Sequence, residues 1–174
     1  MRVGYVFSFS FVALLVAMPV AQAETKVTIS KTHLCCKACV VAVEKALADV
    51  KGVKHESNQA DGTIKLTAEN DEVAQKAIDV LAKTGFHGKL DNDKLKYKAV
   101  EAPKGKVTRL ELEGVHNCCG ACTKAIKQAV AVVAGVKSDS AKAKESSFVV
   151  EGDFVATDVI DSLLNVGFHV QVKK

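Results

Sequence analysis

Seven residues occur twice in this chain: His33-Leu34-Cys35-Cys36-Lys37-Ala38-Cys39 and His116-Asn117-Cys118-Cys119-Gly120-Ala121-Cys122, which together hold all six cysteines. The repeat extends well beyond these loops. Cys36 and Cys119 are 83 residues apart, as are Gly52-Val53 and Gly135-Val136, and Gly85-Phe86-His87 matches Gly167-Phe168-His169 at a spacing of 82. A pattern that returns at this spacing is a duplicated domain. The fold therefore has to be one that each half can build from its own strands and helices.

The first half supplies those elements in a clear order. Lys26 to Ser30 alternates apolar and polar residues and reads as a strand that leads into the first cysteine loop. From Ala38 to Val50, apolar residues recur at Cys39, Val43, Ala46, Leu47 and Val50, one face of an amphipathic helix, and Gly52 stands where a left-handed cap ends it. Val53 begins a second extended segment, and a turn at Ala60-Asp61-Gly62 joins it to Thr63–Ala68 as a hairpin. Asn70 or Asp71 caps a second helix with Val73, Ala77, Ile78 and Leu81 on its inner face, and a short strand ends the unit at Leu90. The second half repeats this, with helices from Ala121 to Val133 and from Val155 to Val166. The expected fold is α+β: two tandem βαββαβ domains, each a four-stranded antiparallel sheet with two helices on one face.

The domains are expected at 24–92 and 106–174, with a linker over 93–105 that is charged, contains Pro103 and ends at Gly105. Within the linker, Leu95 to Ala99 alternates weakly and is a candidate edge strand. Residues 1–23 have the three parts of a secretory signal: Arg2, an apolar run from Val3 to Met18, and Pro19 followed by Ala21-Gln22-Ala23, with cleavage after Ala23. The run is barely long enough to span a bilayer and Pro19 breaks it. The expected location is therefore periplasmic or secreted, with no membrane attachment after cleavage. Formal charge is +4 from 24 basic and 20 acidic residues, there is no Trp, and Arg109 is the only Arg beyond Arg2. That balance describes a solvated surface and sets nucleic acid aside.

The chemistry lies in the cysteine loops. Each reads His-x-Cys-Cys-x-x-Cys and its last Cys enters a helix, so Cys36 faces Cys39, and Cys119 faces Cys122, across a first turn whose N–H groups favour thiolate. Such a pair is a soft metal site or a redox pair. Cys35 and Cys118 are harder to place, because neighbours in an extended loop point to opposite sides. Each is either a third ligand or a spare thiol that captures or passes on the ion. His33 and His116 are further candidate ligands. His87 and His169 sit before the last strand of each unit, at the end of the sheet that carries the cysteine loops, and could approach them; His55 alone has no counterpart in the other half. Lys37 lies between the ligand cysteines of the first loop where the second has Gly120, so the two sites are expected to differ in proton affinity.

The element order, the Cys-x-x-Cys at the start of the first helix and the Gly-Phe before the last strand resemble the heavy-metal-associated domain. That family includes copper chaperones, the periplasmic mercury-binding protein and modules of copper-transporting P-type ATPases. The resemblance runs through both halves and implies a ferredoxin-like fold, with the family's metal-binding pair on Cys36 and Cys39 and again on Cys119 and Cys122. The family's Gly-Met-Thr/His before the pair is replaced by His33-Leu34-Cys35 and His116-Asn117-Cys118, so Asn117 needs a hydrogen-bond partner if buried. Phe86 and Phe168 match an aromatic that packs beside the metal loop in many bacterial members. The resemblance implies a non-enzymatic carrier or store of about one soft ion per domain, Cu(I) first and otherwise Hg(II), Cd(II) or Zn(II), with a metal-receiving protein as its partner.

Another class of function uses the same residues: a thiol-disulfide redox protein or sensor in an oxidising compartment. Three cysteines per domain cannot all pair internally, which favours metal. Pro103 is the only proline left after cleavage, so a thioredoxin-type proline facing the pair is not evident.

Overall fold

The computed structural model describes residues 23–174. The secretory-signal assignment falls almost wholly outside the described residues. The first half runs β1 (Thr25–Ser30), α1 (Lys37–Leu47), β2 (Val53–Asn58), β3 (Thr63–Ala68), α2 (Asp71–Lys83) and β4 (Lys89–Leu90). The second runs β5 (Lys106–Glu113), α3 (Gly120–Ala131), β6 (Val136–Asp139), β7 (Phe148–Val155), α4 (Ala156–Asn165) and β8 (Gln171–Val172). Both sheets are antiparallel, ordered β2-β3-β1-β4 and β6-β7-β5-β8. These are two ferredoxin-like domains, as the patterning predicts.

Alternation places the strands. Val27 and Ile29 of β1 are buried and pair with Leu66 and Ile64 of β3. Helix α1 buries Cys39, Val43 and Leu47, residues four apart on one stripe. Asn70 caps α2 by accepting from the Val73 N–H, and Ala74, Ala77, Ile78 and Leu81 lie on the inner face. The second half carries irregularities that the first lacks, with register shifts between Val107 and Arg109 and between Val136 and Ser138. A bulge absorbs a residue without breaking the ladder, and the shift at Val136 lies in the hairpin where the spacing of the repeats departs from 83.

The halves meet about a pseudo-twofold axis. Phe86 and Phe168 form an antiparallel bridge, the His87 N–H donates to the Gly167 carbonyl at 3.1 Å, and the His169 N–H donates to the Gly85 carbonyl at 3.0 Å. The segment between the domains is strapped down. Leu95 is buried, and Gln75 of α2 clasps Lys96, accepting its N–H at 3.1 Å and donating to its carbonyl at 2.8 Å. Lys98 adds an ion pair to Asp79 at 2.9 Å. Leu95 to Ala99 forms no strand, and at Lys96 the backbone is satisfied by the side chain of a helix rather than by a sheet edge.

Candidate metal centre

Cys36 and Cys119 occupy the N-cap positions of α1 and α3 in extended conformation, and Cys39 and Cys122 follow in the first turn, fully buried. The pseudo-twofold axis brings the two loops face to face. All six sulfurs therefore gather in one cluster. Cys36 and Cys39 lie 3.8 Å apart, as do Cys119 and Cys122. The middle cysteines reach across: Cys118 is 3.7 Å from Cys36 and 3.6 Å from Cys39, while Cys35 is 3.6 Å from Cys119 and 3.4 Å from Cys122. Each Cys-x-x-Cys pair thus meets the extra cysteine of the other domain. Cys35 and Cys118 also touch their own domains, at 3.7 Å from Cys39 and from Cys122 respectively.

The expectation that neighbouring cysteines point to opposite sides does not hold here. The sulfurs of Cys35, Cys36 and Cys119 all lie within 4.8 Å of one another, as do those of Cys118, Cys119 and Cys122. Leu34 and Asn117 are buried just ahead of these residues, so the loop turns inward before it reaches the helix. Asn117 finds the partners that its polarity requires: its Nδ2 donates to the Lys142 carbonyl at 2.7 Å and its Oδ1 accepts from the Thr123 hydroxyl at 2.8 Å.

His33 joins Cys35 and Cys122 in a group close enough to share an ion, and His116 contacts Cys39. Both rings are held by the opposite domain. His33 lies against Phe168 and His116 against Phe86, each with ring centroids 4.4 Å apart. The Nε2 atoms of both are buried without a hydrogen-bond partner among the described residues. The aromatic that the resemblance places beside its own loop therefore supports the other domain's loop. Lys37 and Gly120 are exposed.

The electrostatics follow from crowding. Hydrogen bonding from Cys122 is the main cause that draws the Cys39 thiol down to about 2, with His116 and Cys118 adding to it. The same contact pushes Cys122 up, and burial pushes Cys35 up to about 12 and Cys118 up as well. Thiols this close cannot all ionise, so one carries the charge and its neighbours donate to it. At the rim, the backbone of Cys122 in the first turn of α3 is the first cause that lowers Cys119 to about 7. Burial lowers His33, so it stands as a neutral imidazole. A cleft of about 800 Å³ lined by Lys45, Lys83, Lys144, His116 and Cys118 connects the cluster with solvent.

His87 and His169 do not join the cysteines. They meet each other on the other side of the Gly-Phe bridge, with their Nδ1 atoms 3.3 Å apart and the ring of Tyr97 from the interdomain segment tilted against His87 at 4.1 Å. Burial first, and then the neighbouring His169, lower His87 to about 4; burial also lowers His169. Burial pushes the Tyr97 hydroxyl up, so it keeps its proton. Between pH 6.5 and 4 the unfolded chain binds the proton that folded His87 refuses, so stability is full above 6.5 and falls with pH through this window. Metal-free, reduced protein should lose up to about 3 kcal/mol from this residue between pH 7 and 4. Thermal unfolding of wild type and His87→Asn across that range checks it: the variant should show the shallower slope, and equal slopes would remove His87 as the cause.

No family model matches the sequence, and no curated protein matches it. Among solved structures, the N-terminal soluble domains of Bacillus subtilis CopA overlap at 19% identity, covering 87% of this chain and 95% of that one, with a TM-score of 0.32. The first two RRM domains of yeast poly(U) binding protein Pub1 overlap at 7% identity, covering 86% and 98%, with a TM-score of 0.24. The fold and the sulfur cluster stand on the chain's own geometry.

Proposed function

We propose that this chain is an exported binder of soft metal ions, Cu(I) before Hg(II), Cd(II) or Zn(II), that stores them or hands them to a receiving protein by ligand exchange rather than by catalysis. The observation that carries this reading is the sulfur cluster. Every cysteine has two or three other sulfurs within 3.8 Å, and four groups of three ligand atoms are compact enough for an ion. Disulfide chemistry needs sulfurs in pairs. Thiolates in threes are what a soft cation uses, since it draws its affinity from polarisable donors and tolerates low coordination. Neutral His33 and low-lying Cys39 and Cys119 supply donors without a large proton cost. The ferredoxin-like fold with Cys-x-x-Cys at the starts of α1 and α3 supports the same reading through its resemblance to heavy-metal-associated domains. The signal-like segment over residues 1–23 supports export.

The test is elemental analysis of protein purified anaerobically without chelator, with thiol titration before and after stripping. Bound copper or another soft ion is expected, with most of the six thiols masked until the ion is removed. Protein that takes no Cu(I) from a chromogenic chelator, yet cycles cysteines between thiol and disulfide with a dithiol reductant, would instead establish the redox alternative.

A further inference from the structure

The contacts among the six sulfurs have a definite shape. Cys35 and Cys118 each contact three others within 3.7 Å. Cys39 has three neighbours at 3.6–3.8 Å and Cys122 three at 3.4–3.8 Å, and the two interact with each other as a fourth. Cys36 lies within 4.8 Å of Cys35 and Cys119, and Cys118 within 4.8 Å of Cys119. Among the described sulfurs these contacts join every pair except Cys35 with Cys118, Cys36 with Cys122, and Cys39 with Cys119. Six points in which each has four neighbours and one opposite are the corners of an octahedron.

From this we infer that the two domains together build one polynuclear Cu(I)–thiolate cage, with four ions on alternate faces of the sulfur octahedron and every thiolate bridging two ions. The inference rests on the soft-metal reading and changes what the site is: a single composite centre in place of one ion per domain. The faces are Cys35-Cys36-Cys119, Cys36-Cys39-Cys118, Cys118-Cys119-Cys122 and Cys35-Cys39-Cys122. Any two of these share one cysteine, and every cysteine belongs to two of them. Three of the faces take two ligands from the first loop and one from the second, while Cys118-Cys119-Cys122 lies within the second loop alone. Neither domain could therefore hold the four ions without the other.

Distances and charge agree with the cage. The Cys36-Cys39-Cys118 face, with edges of 3.6–3.8 Å, puts its centre about 2.1–2.2 Å from each corner, a little short of a metal–thiolate bond of about 2.3 Å. A small outward breathing of the loops closes the gap. A tetrahedral ion is served less well, because any four corners of an octahedron include an opposite pair. Six thiolates and four Cu(I) leave a net charge of −2, and loading releases the thiol protons with no change of oxidation state. Lys45, Lys83 and Lys144 line the adjoining cleft and add positive charge to it. His33 and His116 each hold a buried, unpartnered Nε2 beside the cluster, ready to donate to a bridging thiolate.

The experiment is an anaerobic titration of the reduced full-length chain with Cu(I), read by native mass spectrometry and copper X-ray absorption. Expected are monomers that pass from empty to four copper ions with intermediates suppressed, three sulfurs around each copper, and a short copper–copper scattering path. Cys35→Ser removes a corner shared by two ions, so it should abolish the four-copper species although Cys36, Cys39, Cys119 and Cys122 are intact; circular dichroism reports whether the variant is folded. Two ions taken up independently, with no copper–copper path, or a four-copper species found only in dimers, would overturn the cage while leaving the soft-metal reading in place. Failure to bind Cu(I) at all would overturn both.

Discussion

Gly85→Ala combined with Gly167→Ala should drive the two domains apart while leaving each one folded. Gly85 has φ +88 and Gly167 φ +90. A Cβ on Gly85 would collide with the backbone nitrogen of His116, and one on Gly167 with that of His33, so neither obstacle can rotate away as a side chain would. The left-handed conformation adds about 1–2 kcal/mol per alanine, but the larger consequence is geometric. The loops that must move are those that carry the cysteines, and the sulfur contacts across the axis tolerate little displacement. Small-angle scattering of the metal-free, reduced double variant should show a larger radius of gyration, with near-native circular dichroism and loss of the wild-type metal stoichiometry. Gly105→Ala is the control: Gly105 has φ +79 but nothing within 4 Å of where an added Cβ would sit, so it should bear the conformational cost alone. A double variant as compact as wild type would show that the halves are not joined through this bridge.

Phe86→Ala should be the most damaging single substitution at this junction. Phe86 is 1% exposed, lies three residues past the end of α2, bridges Phe168 and stacks on His116. Truncating a buried Phe costs about 3–5 kcal/mol through lost transfer energy and the cavity left behind, which in a chain of this size lowers Tm by on the order of 10 °C. Phe154→Ala removes an equally buried ring from β7, which takes no part in the bridge. The two should differ in kind. Phe86→Ala should also weaken metal binding, because His116 and its loop lose their support, whereas Phe154→Ala should lower stability and leave metal affinity near wild type in the folded fraction. Equal effects on metal affinity would mean that the cluster depends on overall stability rather than on the ring beneath His116.

Much of this protein is legible along the chain. Alternation at Val27 and Ile29, the stripe of Cys39, Val43 and Leu47, the cap at Asn70 and the turn at Gly62 are local patterns, and local patterns specify elements because backbone geometry sets the periods of 2 and 3.6. The duplication then specifies the same fold twice. The placement of Cys36 and Cys119 at helix starts is equally plain, since spacing within one turn is a local matter.

What the spacing leaves open is decided by the packing of one domain on the other. Cys35 and Cys118 are spare within their own loops, and only the pseudo-twofold axis makes each the neighbour of the opposite pair. His87 and His169 read as companions of the cysteines, yet the same axis turns them toward each other and Tyr97. A repeat in sequence is compatible with any mutual orientation of its copies. The orientation here depends on surface contacts between residues more than 80 positions apart, at Gly85-Phe86-His87 and Gly167-Phe168-His169. No periodicity reports a contact of that kind, because its energy comes from the fit of two finished surfaces. The sequence by itself therefore determined two folds and their thiols, and the tertiary structure alone decided that the thiols form one site.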